Sequence, residues 1–253
     1  MTEQEAKFEY LLRLGDNALI LGHRLSEWCG HGPILEQDIA LTNIALDQVG
    51  QARSLLQYAA EVEGKGRTED HLAYQRDVMA FRNALLVEQP NEDFAYTIVR
   101  QFLFDNFNYL LHQQLTQSQD QQLSAIAEKS LKEITYHLRY SSEWMIRLGD
   151  GTEESHGKMQ KALDDLFIYS GELLLPDEVD HAMHKAGVGP DLAQLQPAYD
   201  GKTDAILKEA NLAKPAVNHM QTGGKNGRMH SEYLGFILAE LQFVQRAYPN
   251  MEW

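Results

Sequence analysis

Glu133 and His137 stand four residues apart in the stretch 123–148, LSAIAEKSLKEITYHLRYSSEWMIRL. Ala, Leu, Ile, Glu and Lys dominate it and neither Gly nor Pro interrupts it, so it reads as one long helix. Leu123, Ala127, Leu131, Ile134, Leu138, Met145 and Leu148 form an apolar face. At about 100° per residue His137 falls just inside that face and Glu133 beside it. A carboxylate and an imidazole directed into a helical core are the donors of a carboxylate-bridged metal site. Three further acids sit among apolar neighbours: Glu27 after the Leu21/Leu25 stripe, Asp47 in IALDQVG and Asp105 in FLFDNF.

Two bridged irons take one Glu from each of two helices and a Glu-x-x-His from each of two others, because positions i and i+3 share a face. This chain does not complete that set. Asp47-x-x leads to Gly50, Glu133-x-x leads to Tyr136, and Ile134 stands three before His137. One imidazole is offered where two are needed. The expectation is therefore a metal-free polar network, with Arg24, Arg53, Arg100 and Arg139 within reach of the acids, since unpaired buried charge is costly. The alternative is a metal oxidase active on its own through Glu27, Asp47, Asp105, Glu133 and His137.

The elements that must position these groups are four long helices, predicted at 10–28, 35–62, 92–118 and 123–148. Short turns join the first to the second and the third to the fourth. A longer insertion with a shorter helix at 68–86 joins the two pairs. Beyond 150 the pattern predicts helices at 153–175, 176–186 and 230–247, short pieces punctuated by Gly and Pro between 187 and 215, and a flexible loop at 222–227. The strand signature of alternating β-branched residues is absent. The expected fold is all-α, a ferritin-like four-helix bundle with additional helices. It is expected as one domain over 1–253, with a core bundle over about 8–150 and a C-terminal helical extension over about 151–253.

Length and composition narrow the classes. With 253 residues, 43% hydrophobic and 23% charged, the chain can bury a sizeable core. A net charge of −15 argues against nucleic-acid binding. The lone Cys29 excludes an intrachain disulfide and an all-cysteine metal site. No apolar run approaches membrane-spanning length, and the first ten residues lack a secretory pattern, so a cytoplasmic protein is expected. Gly223-Gly224-Lys225 lacks the spacing of a phosphate loop. Arg76 and Arg82, with Asn83, could meet an anionic ligand, although helix-borne arginines are usually solvated. His230 and Glu232 open the last predicted helix and acquire no role.

Several segments carry a specific resemblance. They are LRLGDNALILGHRLSEWCGHGPILEQDIALTNIALDQVGQARSLLQYAAE (12–61), LLVEQPNEDFAYTIVRQF (85–102), KEITYHLRYSSEWMIRLGDGT (132–152) and TGGKNGRMHSEYLGFILAELQFVQRAYP (222–249). Across essentially its whole length the chain resembles the PaaC family, the C components of phenylacetyl-CoA epoxidases. That resemblance implies a ferritin-like fold and a part in aerobic phenylacetate degradation. It implies a multicomponent monooxygenase that uses NADPH and O2 to form a ring 1,2-epoxide on phenylacetyl-CoA. The catalytic component A would carry the di-iron centre and the chemistry, a small component B would bridge, and component E would be a transient reductase. This chain would be the non-catalytic sister that supports the catalytic component, with no cofactor of its own and a possible homodimer when alone. The resemblance also places CoA near the junction of the A and C components. Phe81, Arg82 and Asn83, and the segment His181, Ala182 and Met183, are the contacts it suggests.

Overall fold

Thr2 decides where the first helix starts. Its hydroxyl accepts from the Glu5 N–H at 3.2 Å while the Glu5 carboxylate accepts from the Thr2 N–H at 2.7 Å. In the computed structural model, which describes residues 1–249 and 251, α1 (Glu3–Ser26) therefore begins well before the predicted position 10. After a turn comes α2 (Leu35–Glu63). A Cβ on Gly22 would lie 3.1 Å from Gln48 Cβ, and one on Gly15 would lie 2.8 Å from Leu56. Contacts that descend along α1 climb along α2, so the pair is antiparallel and tightly apposed. Asp93 caps α5 (Phe94–Leu115) and Asp120 caps α6 (Gln121–Gly149), each accepting a backbone N–H at 3.0 Å. Phe94 meets Trp144 edge-on at 5.3 Å, and at the other end Ser124 Oγ donates to the Thr116 carbonyl at 2.7 Å. This second pair is antiparallel too.

The fold is all-α, with no strand among the described residues, and is consistent with a ferritin-like helical bundle. Contacts divide the chain into two compact units, Met1–Glu88 with Gly223–Trp253, and Gln89–Thr222. Residues 250, 252 and 253 of the predicted extension lie outside the described residues. No helix among the described residues is long and apolar enough to cross a membrane.

In the first unit α1 is buried almost all round from Tyr10 to Leu25. Its polar side chains therefore need partners, and they find them in the segment that follows α2. This corrects the single helix predicted at 68–86. The structure has α3 (Glu69–Tyr74), a 3-10 turn at Val78–Ala80, extended chain, and α4 (Leu85–Glu88). Asp16 accepts the Arg82 N–H at 2.8 Å and Asn17 Oδ1 accepts the Ala84 N–H at 2.8 Å. Those N–H groups are directed to α1 instead of to helical carbonyls. The unit closes with α11 (Glu232–Leu241) and α12 (Phe243–Ala247), so His230 lies outside the helix predicted to start with it.

The second unit adds α7 (Glu153–Leu166), α8 (Gly171–Leu174), α9 (Glu178–Lys185) and α10 (Leu192–Glu209) to the α5/α6 pair. The predicted helix 153–175 is interrupted by a 3-10 turn at Phe167–Tyr169. The short pieces expected between 187 and 215 are corrected more strongly: α10 runs through both Pro197 and Gly201. Those residues cost a helix about 3 and 1 kcal/mol. Burial of Tyr199, Thr203, Ile206 and Leu207 offsets the cost. So do Asn106 Nδ2 donating to the Tyr199 carbonyl at 3.0 Å and Tyr199 OH donating to the Leu103 carbonyl at 3.2 Å.

Candidate functional site

On the second helix pair, Asp105 of α5 and His137 of α6 are both fully buried. The Ser141 hydroxyl, one turn beyond His137, donates to Asp105 Oδ2 at 2.8 Å. Asp105 Oδ1 has no hydrogen-bond partner among the described residues. Burial therefore pushes the Asp105 carboxyl up to about 6, against the opposing pull of His137 and the Ser141 hydrogen bond. Glu133 is half-buried on α6. On the first pair, Asp47 is half-buried on α2. Glu27 is the exposed C-cap of α1 and pairs with Arg24 at 2.9 Å.

Among the described residues no group of three or more His, Cys, Asp or Glu side chains could hold a metal ion. The donors around Asp105 are one carboxylate, one imidazole and one hydroxyl. Two bridged irons require four carboxylates and two imidazoles. The residues present do not fit a carboxylate-bridged pair. What the arrangement can do is let the buried Asp105 carboxyl, hydrogen-bonded by Ser141, keep a proton up to about pH 6.

A second buried network organises the first unit. The Asp16 carboxylate, wholly buried, holds Arg76 bidentately; one of its two bonds is 2.9 Å. The Arg76 guanidinium also lies 4.2 Å from the Phe81 ring centroid. Arg82 donates to Glu9 at 2.6 Å and to the Phe81 and Met79 carbonyls at 2.8 and 3.0 Å. The two arginines weighed as solvated or anion-binding are thus engaged by carboxylates of α1. Phe81 and Asn83 are fully buried, and Arg82 is half-exposed. In α9 His181 is exposed, Ala182 half-buried and Met183 buried.

Glu88, at the end of α4, is the centre that sequence reasoning missed. Its buried carboxylate accepts from Asn83 Nδ2 at 2.9 Å, from the Ser231 N–H at 2.7 Å and from the Ser231 hydroxyl at 2.6 Å. It also meets His230 Nδ1 at 2.5 Å. Its carbonyl takes two bonds from Arg24, at 3.2 and 2.8 Å. The loop expected to be flexible is seated here: a Cβ on Gly224 would come 2.5 Å from the Asn83 carbonyl. The signal was present as a lone acid in the apolar run LLVEQP, the same criterion that singled out Asp105.

Compared with known proteins, the chain matches the family described as phenylacetic acid catabolic protein over residues 1–253. It belongs to that family. It is also 49% identical over 244 residues to the C subunit of the 1,2-phenylacetyl-CoA epoxidase of Escherichia coli (strain K12). The alignment covers 96% of this chain and 98% of the relative. Membership and near-complete coverage agree with the resemblance carried by the sequence segments.

Proposed function

We propose that this chain is a structural, non-catalytic subunit of a phenylacetyl-CoA ring 1,2-epoxidase of phenylacetate degradation. It supports a homologous catalytic component A that carries the di-iron centre. The assembly includes a bridging component B and, transiently, a reductase E that draws on NADPH. The observation that carries this reading is the 49% identity to the C subunit of an epoxidase over almost the full length of both chains. The chemistry of the buried donors supports it. Asp105 is committed to Ser141 and His137 in a protonatable knot with too few carboxylates to neutralise two irons.

An assembly role also accounts for apolar surface. Leu35, Ile39, Leu46 and Val49 are exposed along one face of α2. Leaving such side chains in water forgoes about 1.5–3 kcal/mol each, and exposed apolar stripes mark surfaces that associate. Phenylacetyl-CoA would bind near the junction with the catalytic component; of the suggested contacts His181 is exposed, and Arg82 is half-exposed but already paired with Glu9.

The test is co-expression with the catalytic component A from the same phenylacetate-degrading system. The two chains should co-purify, and epoxide formation from phenylacetyl-CoA, O2 and NADPH should need both, with the bridging and reductase components supplied. Failure to co-purify, or full activity without this chain, would refute the proposal.

A further inference from the structure

The contacts of His230 define its protons. Its Nε2 lies 3.2 Å from the Phe81 carbonyl oxygen, which can only accept, so Nε2 carries a hydrogen. Its Nδ1 lies 2.5 Å from Glu88 Oε1. Two lone pairs cannot face each other at that distance, so a proton lies between them. The two side chains are 1% and 0% exposed, so the proton sits away from bulk solvent. Removing it would leave a buried lone pair against a buried anion, an arrangement with no compensating donor on the imidazole.

We propose that this shared proton is a latch that holds the segment 223–231 closed on the chain at 81–88. Ser231, adjacent to His230, fills the other carboxylate oxygen with two bonds, and Gly224 sits flush against Asn83. The segment leads directly into α11, so the latch fixes the entry of the C-terminal helices. The surrounding charges are assigned elsewhere or lie outside the pair. Arg24 bonds the Glu88 carbonyl, Arg76 is held by Asp16, and Arg82 by Glu9. Lys225 is buried within the same loop and Glu232 opens α11. Loss of the proton frees the segment, while the α1/α2 pair, whose contacts do not involve His230, stays folded.

The experiment uses the full chain. Imidazole 15N chemical shifts report the protons on His230 as pH is raised, and hydrogen exchange read by mass spectrometry reports protection of 223–231. The expected result is a ring carrying both protons while the segment is protected. Protection should then fall about tenfold or more, after correction for intrinsic exchange, with the midpoint of the ring titration. Far-UV helicity should hold through that step. In His230→Gln the segment should be unprotected from the start and the step absent. A singly protonated ring in the closed state would overturn the latch. So would a ring titration without change in exchange, or a step that survives in the variant. If His230→Gln does not fold, the coincidence or separation of the two wild-type midpoints decides alone.

Discussion

Asp105→Asn should make the protein gain stability, relative to wild type, as pH rises. Burial pushes the Asp105 carboxyl up to about 6, with His137 and Ser141 opposing. Its ordinary value is near 3.9, so the folded chain keeps a proton through a window from about pH 4 to 6 that the unfolded chain has released. More protons on the folded side means that stability falls as pH rises through that window. About two units correspond to roughly 3 kcal/mol at pH 7. His112, seven positions further along α5, does the reverse. Burial lowers it to about 4, opposed by its bond to the Asn108 carbonyl at 2.9 Å. The unfolded chain takes up that proton first as pH falls below about 6.5, so stability drops towards pH 4 by roughly 3 kcal/mol. In the wild type the two slopes nearly cancel, and a single pH profile would conceal both. Asn at 105 keeps an acceptor for Ser141 and never ionises, so the His112 slope stands alone. Thermal unfolding followed by circular dichroism should show the variant-minus-wild-type gap widening by roughly 6–12 °C between pH 4 and 7. A gap that is constant with pH, or that narrows, would refute the reasoning, because it would mean that Asp105 titrates alike in the folded and unfolded chains.

Other outcomes follow from the same contacts. Ser141→Ala removes a hydrogen bond to a carboxylate and should cost about 1.5–3 kcal/mol at pH 7.5 and less at pH 4, read by the same melts. Arg76→Met leaves the buried Asp16 carboxylate without its bidentate partner and should cost about 3–5 kcal/mol in chemical denaturation. Gly224→Ala places a methyl against the Asn83 carbonyl and should cost about 1–3 kcal/mol, with faster amide exchange confined to the loop. Elemental analysis of the folded chain from iron-supplemented cells should find well under one iron per chain. Two irons per chain would overturn the structural reading and restore Glu133 and His137 as ligands.

How far the sequence reaches depends on whether a structural decision is local. The long helices were legible because their periodicity lies within each segment, and α9 was legible from Pro176 near its start, although the helix itself begins at Glu178 behind the capping Asp177. Burial of Asp105 and His137 was legible because each stands inside an apolar stripe. The early start of α1 was a local signal passed over, the Thr2/Glu5 capping box, whereas two larger errors share another cause, a distant partner that overrides local preference. Pro197 and Gly201 argued for a break, yet Leu103 and Asn106, almost a hundred residues earlier, bond Tyr199 and hold α10 intact. Residues 81–84 looked helical by composition, yet Asp16 and Asn17 of α1 take their N–H groups.

The Glu88 network shows the same limit at the level of function. Its members come from three stretches: Arg24, then Asn83 and Glu88, then His230 and Ser231. Inspected separately, Glu88 is an acid in an apolar run and His230 is a polar residue before a helix. Neither residue states a role until the chain brings them within 2.5 Å. A buried acid in an apolar run is nonetheless a demand for donors that the sequence must supply somewhere. Counting such demands against polar residues without a task would have drawn attention to His230, which opened the last predicted helix with Glu232 and had no role, and through it to the adjacent Ser231.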